Sequence, residues 1–246
     1  MIASSQFQLR PDRNLVARYI TVGYFSRKLR EPYFTMSTGF EPTSFPDSGQ
    51  AEPAWGIARL YSPQGHWTEG EYLAFTESRN QLIELVDGRI EVLEMPTKSH
   101  QKIVNYLLNL LLAYLHTDTR GDAIAAPYRV RIRGESFREP DIAVYLTEHA
   151  DHFGERYGEP ADLVVEVVRD DAESSTRDYE DKRRDYALAG IREYWIVDPA
   201  TSTGTVLTLA GSEYKGHGEF GADAIATSAL LNEFSAAVNE VFESAR

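Results

Sequence analysis

The sequence predicts an α/β domain: a mixed central sheet flanked by helices, with extra strands toward the C-terminus. Three observations lead there. Strand-like and helix-like periodicities are interleaved from Thr68 onward. Two runs, Asp141–Leu146 and Leu163–Val168, are almost uniformly apolar, as strands covered on both faces must be. One long stretch, Thr97–His116, places Ile103, Leu107, Leu110, Leu111 and Tyr114 at spacings of three and four, which makes a wide apolar stripe on a helix.

The elements follow in order. Thr68 with Glu71 forms a capping box that opens a short helix carrying Tyr72, Leu73 and Phe75. Leu82–Val86 and Arg89–Leu93 flank Asp87-Gly88, the signal of a two-residue hairpin turn. After the long helix, Tyr128, Val130 and Ile132 alternate with Arg129, Arg131 and Arg133, predicting a half-buried strand with a basic face. The two apolar strands come next. Ser174–Ala189 reads as a charged helix stopped by Gly190. Glu193–Val197 is an aromatic, β-branched strand ended by Pro199, and Thr205–Leu209 and Ser212–Lys215 continue as short strands. Leu230–Phe242 is expected to be helical. No internal repeat is present.

Composition divides the 246 residues into one domain, 67–246, and an N-terminal extension, 1–66, expected to be poorly ordered. Pro, Gly, Ser and Thr crowd Thr35–Gln64, and Met36 is a candidate translation start. Arg10, Arg13 and Arg18 break up any secretory signal, no apolar run is long enough for a membrane span, and cysteine is absent. A cytoplasmic location is the expectation, without disulfides or thiolate metal sites. The net charge is −13, and residues 67–246 hold 18 basic and 33 acidic side chains, a net of −15. Such a surface opposes non-specific binding to a polyanion, so any nucleic acid must be gripped locally.

Three features together point to chemistry. Pro140-Asp141 opens an apolar strand, Glu166 sits in the middle of Leu163–Val168, and Lys182 follows on the next helix. A carboxylate inside an apolar strand costs several kcal/mol unless it is paired, hydrogen-bonded or ligated. Two carboxylates on adjacent strands make a hard-oxygen pair suited to Mg²⁺ or Mn²⁺. Such an ion polarises a phosphoryl oxygen and activates a water, and a nearby lysine orients that water or neutralises charge gathering on phosphorus. Plainer readings exist. Lys182 pairs with Asp178 at i−4 on any solvated helix, Glu166 could meet one of the three arginines, and the Arg129/Arg131/Arg133 face could track a phosphate backbone or neutralise the abundant carboxylates. His116, His149, His152 and His217 have no ligand-like spacing and are read as structural.

The motifs Glu84-Leu85-Val86-Asp87-Gly88, His100, Pro140-Asp141-Ile142, Val165-Glu166-Val167, Asp178…Lys182…Tyr186 and Gly190-Ile191-Arg192-Glu193-Tyr194-Trp195-Ile196-Val197-Asp198-Pro199, in this order, resemble the Uma-type endonuclease family. That family belongs to the restriction-endonuclease-like PD-(D/E)XK superfamily, and the resemblance runs from about Trp67 to Phe242. It implies a metal-dependent endonuclease acting on DNA, with Asp141 and Glu166 as ligands to Mg²⁺ or Mn²⁺. Lys182 would assist the attacking water and Glu84 would be an added acidic residue. Arg129, Arg131 and His100 are the candidate substrate-binding residues. Val168 stands where the superfamily has its lysine, so Lys182 matches the variants in which that lysine has moved to the next helix. Arg169-Asp170-Asp171 departs from the family's usual turn. The competing reading is a catalytically inactive nuclease-like module that binds nucleic acid or a protein partner. DNA is the expected partner, with no membrane, and a homodimer is a further expectation.

Overall fold

The computed structural model describes residues 61–77, 79, 81–169 and 177–246. Expectations for residues 1–60, the start at Met36, the Asp170-Asp171 turn and a helix beginning at Ser174 lie outside the described residues. The last residues of the expected N-terminal extension run along the first hairpin, where Gly65 N–H donates to the Gly88 carbonyl at 2.8 Å and Tyr61 stacks on Trp67.

Helix α1 (Glu69–Thr76) starts with the capping box read from the sequence: the Glu71 N–H donates to Thr68 Oγ1 and the Thr68 N–H to Glu71 Oε2, at 3.3 and 2.9 Å. Strands β1 (Ile83–Val86) and β2 (Arg89–Val92) pair antiparallel across Asp87 and Gly88, both with positive φ, 50° and 71°. That is the backbone an Asp-Gly hairpin turn favours. Helix α2 (Lys98–His116) begins at the N-cap Thr97, whose hydroxyl accepts the His100 N–H.

Strands β3 (Gly121–Ala125), β4 (Val130–Arg133), β5 (Ser136–Arg138), β6 (Ile142–Leu146) and β7 (Leu163–Val167) follow. A π-helical turn, Arg177–Asp181, leads into α3 (Lys182–Ala189), which ends on Gly190 at φ 82°. The chain closes with β8 (Glu193–Asp198), β9 (Thr203–Ala210), β10 (Glu213–Phe220), β11 (Ile225–Thr227), β12 (Ser235–Ala237) and α4 (Val238–Glu243).

These elements form a six-stranded mixed sheet, ordered β10-β9-β8-β7-β6-β3, and a four-stranded sheet, β2-β1-β5-β4. β7 and β8 are parallel and the other neighbours in the six-stranded sheet antiparallel. Alternate side chains of the central strands go to opposite faces, as the two-residue period requires. Ile142, Val144, Leu163, Val165, Val167, Trp195 and Val197 pack with the α2 stripe of Ile103, Val104, Leu107, Leu111 and Leu115. Ala143, Tyr145, Val164, Tyr194 and Ile196 pack with Tyr186 and Ala187 of α3 and with Val130 and Ile132. Each fully buried aliphatic side chain contributes on the order of 1.5–3 kcal/mol, which is what holds the layers. No helix among the described residues is long and apolar enough to cross a membrane.

Two expectations need correction. The helix expected over Leu230–Phe242 is confined to Val238–Glu243, with strand β12 before it. The cause is Glu193, whose Oε2 accepts the N–H groups of Ala229 and Leu230 at 2.7 and 2.8 Å and fixes a turn there. Strands β3 and β5 were not legible, because Gly-Asp-Ala-Ile-Ala has weak strand propensity and Ser-Phe-Arg is three residues long.

The hairpin glycine is constrained in a way the helix-ending one is not. A Cβ on Gly88 would lie 2.8 Å from the Gly65 carbonyl atoms, while one on Gly190 would meet nothing within 4 Å. Gly190→Ala is expected to cost about 1–2 kcal/mol, the penalty of a left-handed residue alone. Gly88→Ala should cost clearly more, and equal urea midpoints for the two variants would refute this account of the hairpin.

Candidate active site

β6 and β7 pair antiparallel with Ile142 opposite Val165, so one further step in register sets Asp141 opposite Glu166. Directly opposed residues of an antiparallel pair project to the same face. Asp141 ends the ladder with its side chain: Oδ2 accepts the Val167 N–H at 2.8 Å. His100, in the first turn of α2, brings Nε2 to 3.1 Å from the same Asp141 oxygen and 3.0 Å from the Val167 carbonyl. Both neighbours accept, so Nε2 carries the proton and donates to them.

Glu166 lies deeper. Its Oε1 accepts the Tyr186 hydroxyl at 2.6 Å, and its Oε2 is 2.8 Å from the Lys182 ammonium. Lys182 Nζ is also 3.4 Å from Asp178 and 3.8 Å from Glu84. Asp178, Lys182 and Tyr186 are spaced by four and so lie along one side of the helix facing the sheet. Lys182 is only 2% exposed, so it is not the solvated surface partner of Asp178 that the bare sequence allows. The structure thus gathers Glu84, Glu166 and Lys182, and places Asp141 and His100 beside them.

Glu84 is held from behind. Arg138 donates to Glu84 Oε2 at 2.6 Å, the Glu139 N–H donates to Oε1 at 3.0 Å, and the same guanidinium reaches Asp185 at 2.8 Å and Glu91 at 3.0 Å. Arg138 and Asp185 are fully enclosed. Sequence reasoning missed both, as it missed Glu139. A signal existed: Arg138-Glu139 directly precedes Pro140-Asp141, in a segment whose burial its charges conceal.

The three arginines at and just before β4, Arg129, Arg131 and Arg133, are spread among carboxylates. Arg129 lies 3.6 Å from Glu139, which links it to the edge of the site. Arg131 pairs with Glu69 at 2.6 Å and Glu159 at 3.3 Å, and Arg133 with Asp87 at 2.8 Å. Among the described residues, one His/Asp/Glu trio has ligand atoms within 4.8 Å of one another: Glu148, His149 and Asp162. Arg192 already donates to both of those carboxylates, and Asp162 Oδ2 accepts the Leu146 N–H. That trio is an arginine-bridged ion-pair group.

Electrostatics follow from burial and neighbours. Burial would raise Glu84, but Arg138 and Lys182 outweigh it and hold its carboxyl at about 2. Burial pushes Glu166 up to about 8, opposed by Lys182 and reinforced by Asp178 and Asp141. Asp178 is raised by burial in the same way. Burial also lifts Glu139 to about 7, with Glu84 adding to the rise. Lys182 is desolvated, yet Glu166, Asp178 and Glu84 together keep it protonated. Carboxylates gather at the Asp141–Glu166–Asp178 corner, where the Lys182 ammonium and the Arg177 guanidinium, 3.9 Å from Asp178, stand among them. Carboxylate oxygens are the donors that a divalent cation of the Mg²⁺ or Mn²⁺ type takes, so the donor chemistry of Asp141 and Glu166 fits such an ion.

Glu84 supplies a stability test. Its carboxyl is depressed in the folded protein, so its contribution is present in full above about 4.5 and is lost as pH falls through about 2. Glu84→Gln is expected to destabilise by about 3 kcal/mol near neutrality, as for a broken buried pair. The gap from the parent should shrink steadily below pH 4.5 in chemical denaturation. A pH-independent gap would rule out the ion pair as its source.

No curated protein matches this chain at a significant level. A crystal structure of a "putative nuclease belonging to DUF820" from Anabaena variabilis superposes with a TM-score of 0.59. It is 18% identical, over 73% of this chain and 99% of that one, a likeness of fold. The Uma2 family model, described as "Putative restriction endonuclease", matches residues 70–239. That segment contains Glu84, His100, Asp141, Glu166, Asp178, Lys182 and Tyr186, and the chain belongs to the Uma2 family of nuclease-like proteins.

Proposed function

We propose that this protein is a Mg²⁺- or Mn²⁺-dependent endonuclease that hydrolyses phosphodiester bonds in DNA. The observation that carries the reading is the register of β6 and β7, which sets Asp141 and Glu166 face to face with Lys182 on one of them. Asp141 and Glu166 would hold the ion through carboxylate oxygens. When bound, such an ion polarises the phosphoryl group and lowers the pKa of a water near it.

The chain's own groups do the rest. Lys182, kept protonated by its three carboxylates, acts as a fixed positive charge and hydrogen-bond donor, suited to orienting a water or balancing charge on phosphorus. It is not a base. Glu84 steers Lys182 toward Glu166, Tyr186 orients the Glu166 carboxylate, and His100 orients that of Asp141. Arg129 and Arg131 are the candidate contacts to the DNA backbone, once drawn from their carboxylates. One observation favours a second reading, a non-catalytic nuclease-like binding module: both Glu166 oxygens already have partners, Tyr186 and Lys182.

Nicking of supercoiled plasmid separates the two. With Mn²⁺ or Mg²⁺ the parent should nick, and Asp141→Asn and Glu166→Ala should each lose more than the ~10–100-fold typical of residues that only support a ligand. Calorimetry should show Mn²⁺ binding by the parent and none by Glu166→Ala. Equal nicking by all three proteins ends the catalytic reading, and a parent that binds no Mn²⁺ leaves the binding module.

A further inference from the structure

His100 belongs to two places at once. Its Nε2 holds Asp141, and its ring also lines a cleft of about 570 Å³. The cleft is bounded by the first turn of α2, the chain leaving β7 and the turn that follows β8. Met95, Ile103, Pro199 and Phe242 give it apolar walls, and its polar lining includes one cation, Arg169, and one carboxylate, Glu94. Met95 is 72% exposed, so the cleft leaves apolar surface in water. Its volume falls in the roughly 300–1,000 Å³ range of pockets that hold small ligands.

We infer that this cleft receives one unstacked nucleobase of a single-stranded substrate whose adjoining phosphodiester lies next to the Asp141–Glu166 site. The inference rests on the endonuclease reading and narrows its substrate class. A nucleobase has the matching chemistry: flat apolar faces, an uncharged polar edge and an attached phosphate for a cation such as Arg169. Position agrees, because the wall that His100 provides is the same ring that orients Asp141. A base inside a duplex is stacked on both faces and cannot enter a walled cleft without being extruded, at a cost of a few kcal/mol. Charge agrees as well. Residues 67–246 carry a net of −15. A duplex presents two phosphate strands to that surface, whereas a single strand presents one and gains contact energy from its bases.

The test uses the full chain in EDTA, where no cleavage occurs and binding is read apart from the metal. The probe is a short single-stranded oligodeoxynucleotide with one central 2-aminopurine, compared with the same strand annealed to its complement. Ala200 is exposed and lines the cleft without touching Asp141 or Glu166, so Ala200→Trp fills the space from outside the core. Met95→Glu, at another exposed position, places a negative charge in the cleft should the tryptophan variant fail to fold.

The parent should bind the single strand with a change in 2-aminopurine fluorescence and bind the duplex more weakly. Each variant should bind the single strand at least about tenfold more weakly, with Mn²⁺ affinity unchanged. Duplex bound as tightly as single strand, or variants that bind like the parent, would overturn the inference. So would a change in solution mass for Ala200→Trp with oligonucleotide affinity intact, which would make the cleft a self-association surface. Loss of nicking or of Mn²⁺ binding alongside intact single-strand binding counts against the metal reading and leaves the cleft assignment standing.

Discussion

An ammonium group taken out of water is tolerated only where opposite charge surrounds it, and Lys182 meets that condition three times over. Glu166 on β7, Asp178 in the π-helical turn that leads into α3 and Glu84 on β1 converge on it. Those three acids come from the central sheet, the helical layer and the four-stranded sheet. The pairing therefore ties together the very elements that the apolar clusters stack against one another. Breaking a buried pair by removing one partner typically costs about 3–5 kcal/mol, because the other charge is left stranded. The site and the fold are accordingly not separable: groups that would do chemistry also fasten the layers.

A second centre behind the first gives the arrangement its direction. Arg138 is enclosed by Glu84, Asp185 and Glu91, so Glu84 is shared between two cations. Shared in that way, Glu84 stays ionised although it is fully buried. Glu166 has a weaker hold on its charge, since burial, Asp178 and Asp141 press on it and outweigh the relief from Lys182. Low dielectric makes each of these interactions stronger than it would be at the surface, in both signs.

Much of this was legible in the sequence because the central strands and α2 follow simple periods. Asp87-Gly88, Thr68 with Glu71, and Gly190 each carry a local backbone reason that the structure repeats. Glu166 was legible for the opposite reason: a charge in an apolar strand needs a partner, and Lys182 is that partner. What stayed hidden depends on contacts distant along the chain. Arg138 and Asp185 look like surface residues until two sheets close over them. The Leu230 turn is set by Glu193, more than thirty residues away, which no helical periodicity can reveal. Edge strand β3 exists because β6 offers it a ladder, not because its own residues favour extension.

Exposure orders the roles that these residues could take. Glu84 is fully enclosed and both its oxygens are engaged, one by Arg138 and one by the Glu139 N–H. It has no face left for an ion or a phosphate, so any influence it has on chemistry passes through Lys182. Asp141 stands at the other extreme, with its side chain 13% exposed and one oxygen, Oδ2, committed to the Val167 N–H and His100. Under the proposed reading, its second oxygen is where a cation would be held. Glu166 lies between the two and can join such a cation only by loosening Tyr186 or Lys182. Under the proposed reading, Asp141 and Glu166 would hold the ion, and Lys182, beside Glu166, would supply the positive charge next to it. Lys182 would present a donor to a water there only to the extent that its three carboxylates, Glu166, Asp178 and Glu84, release it.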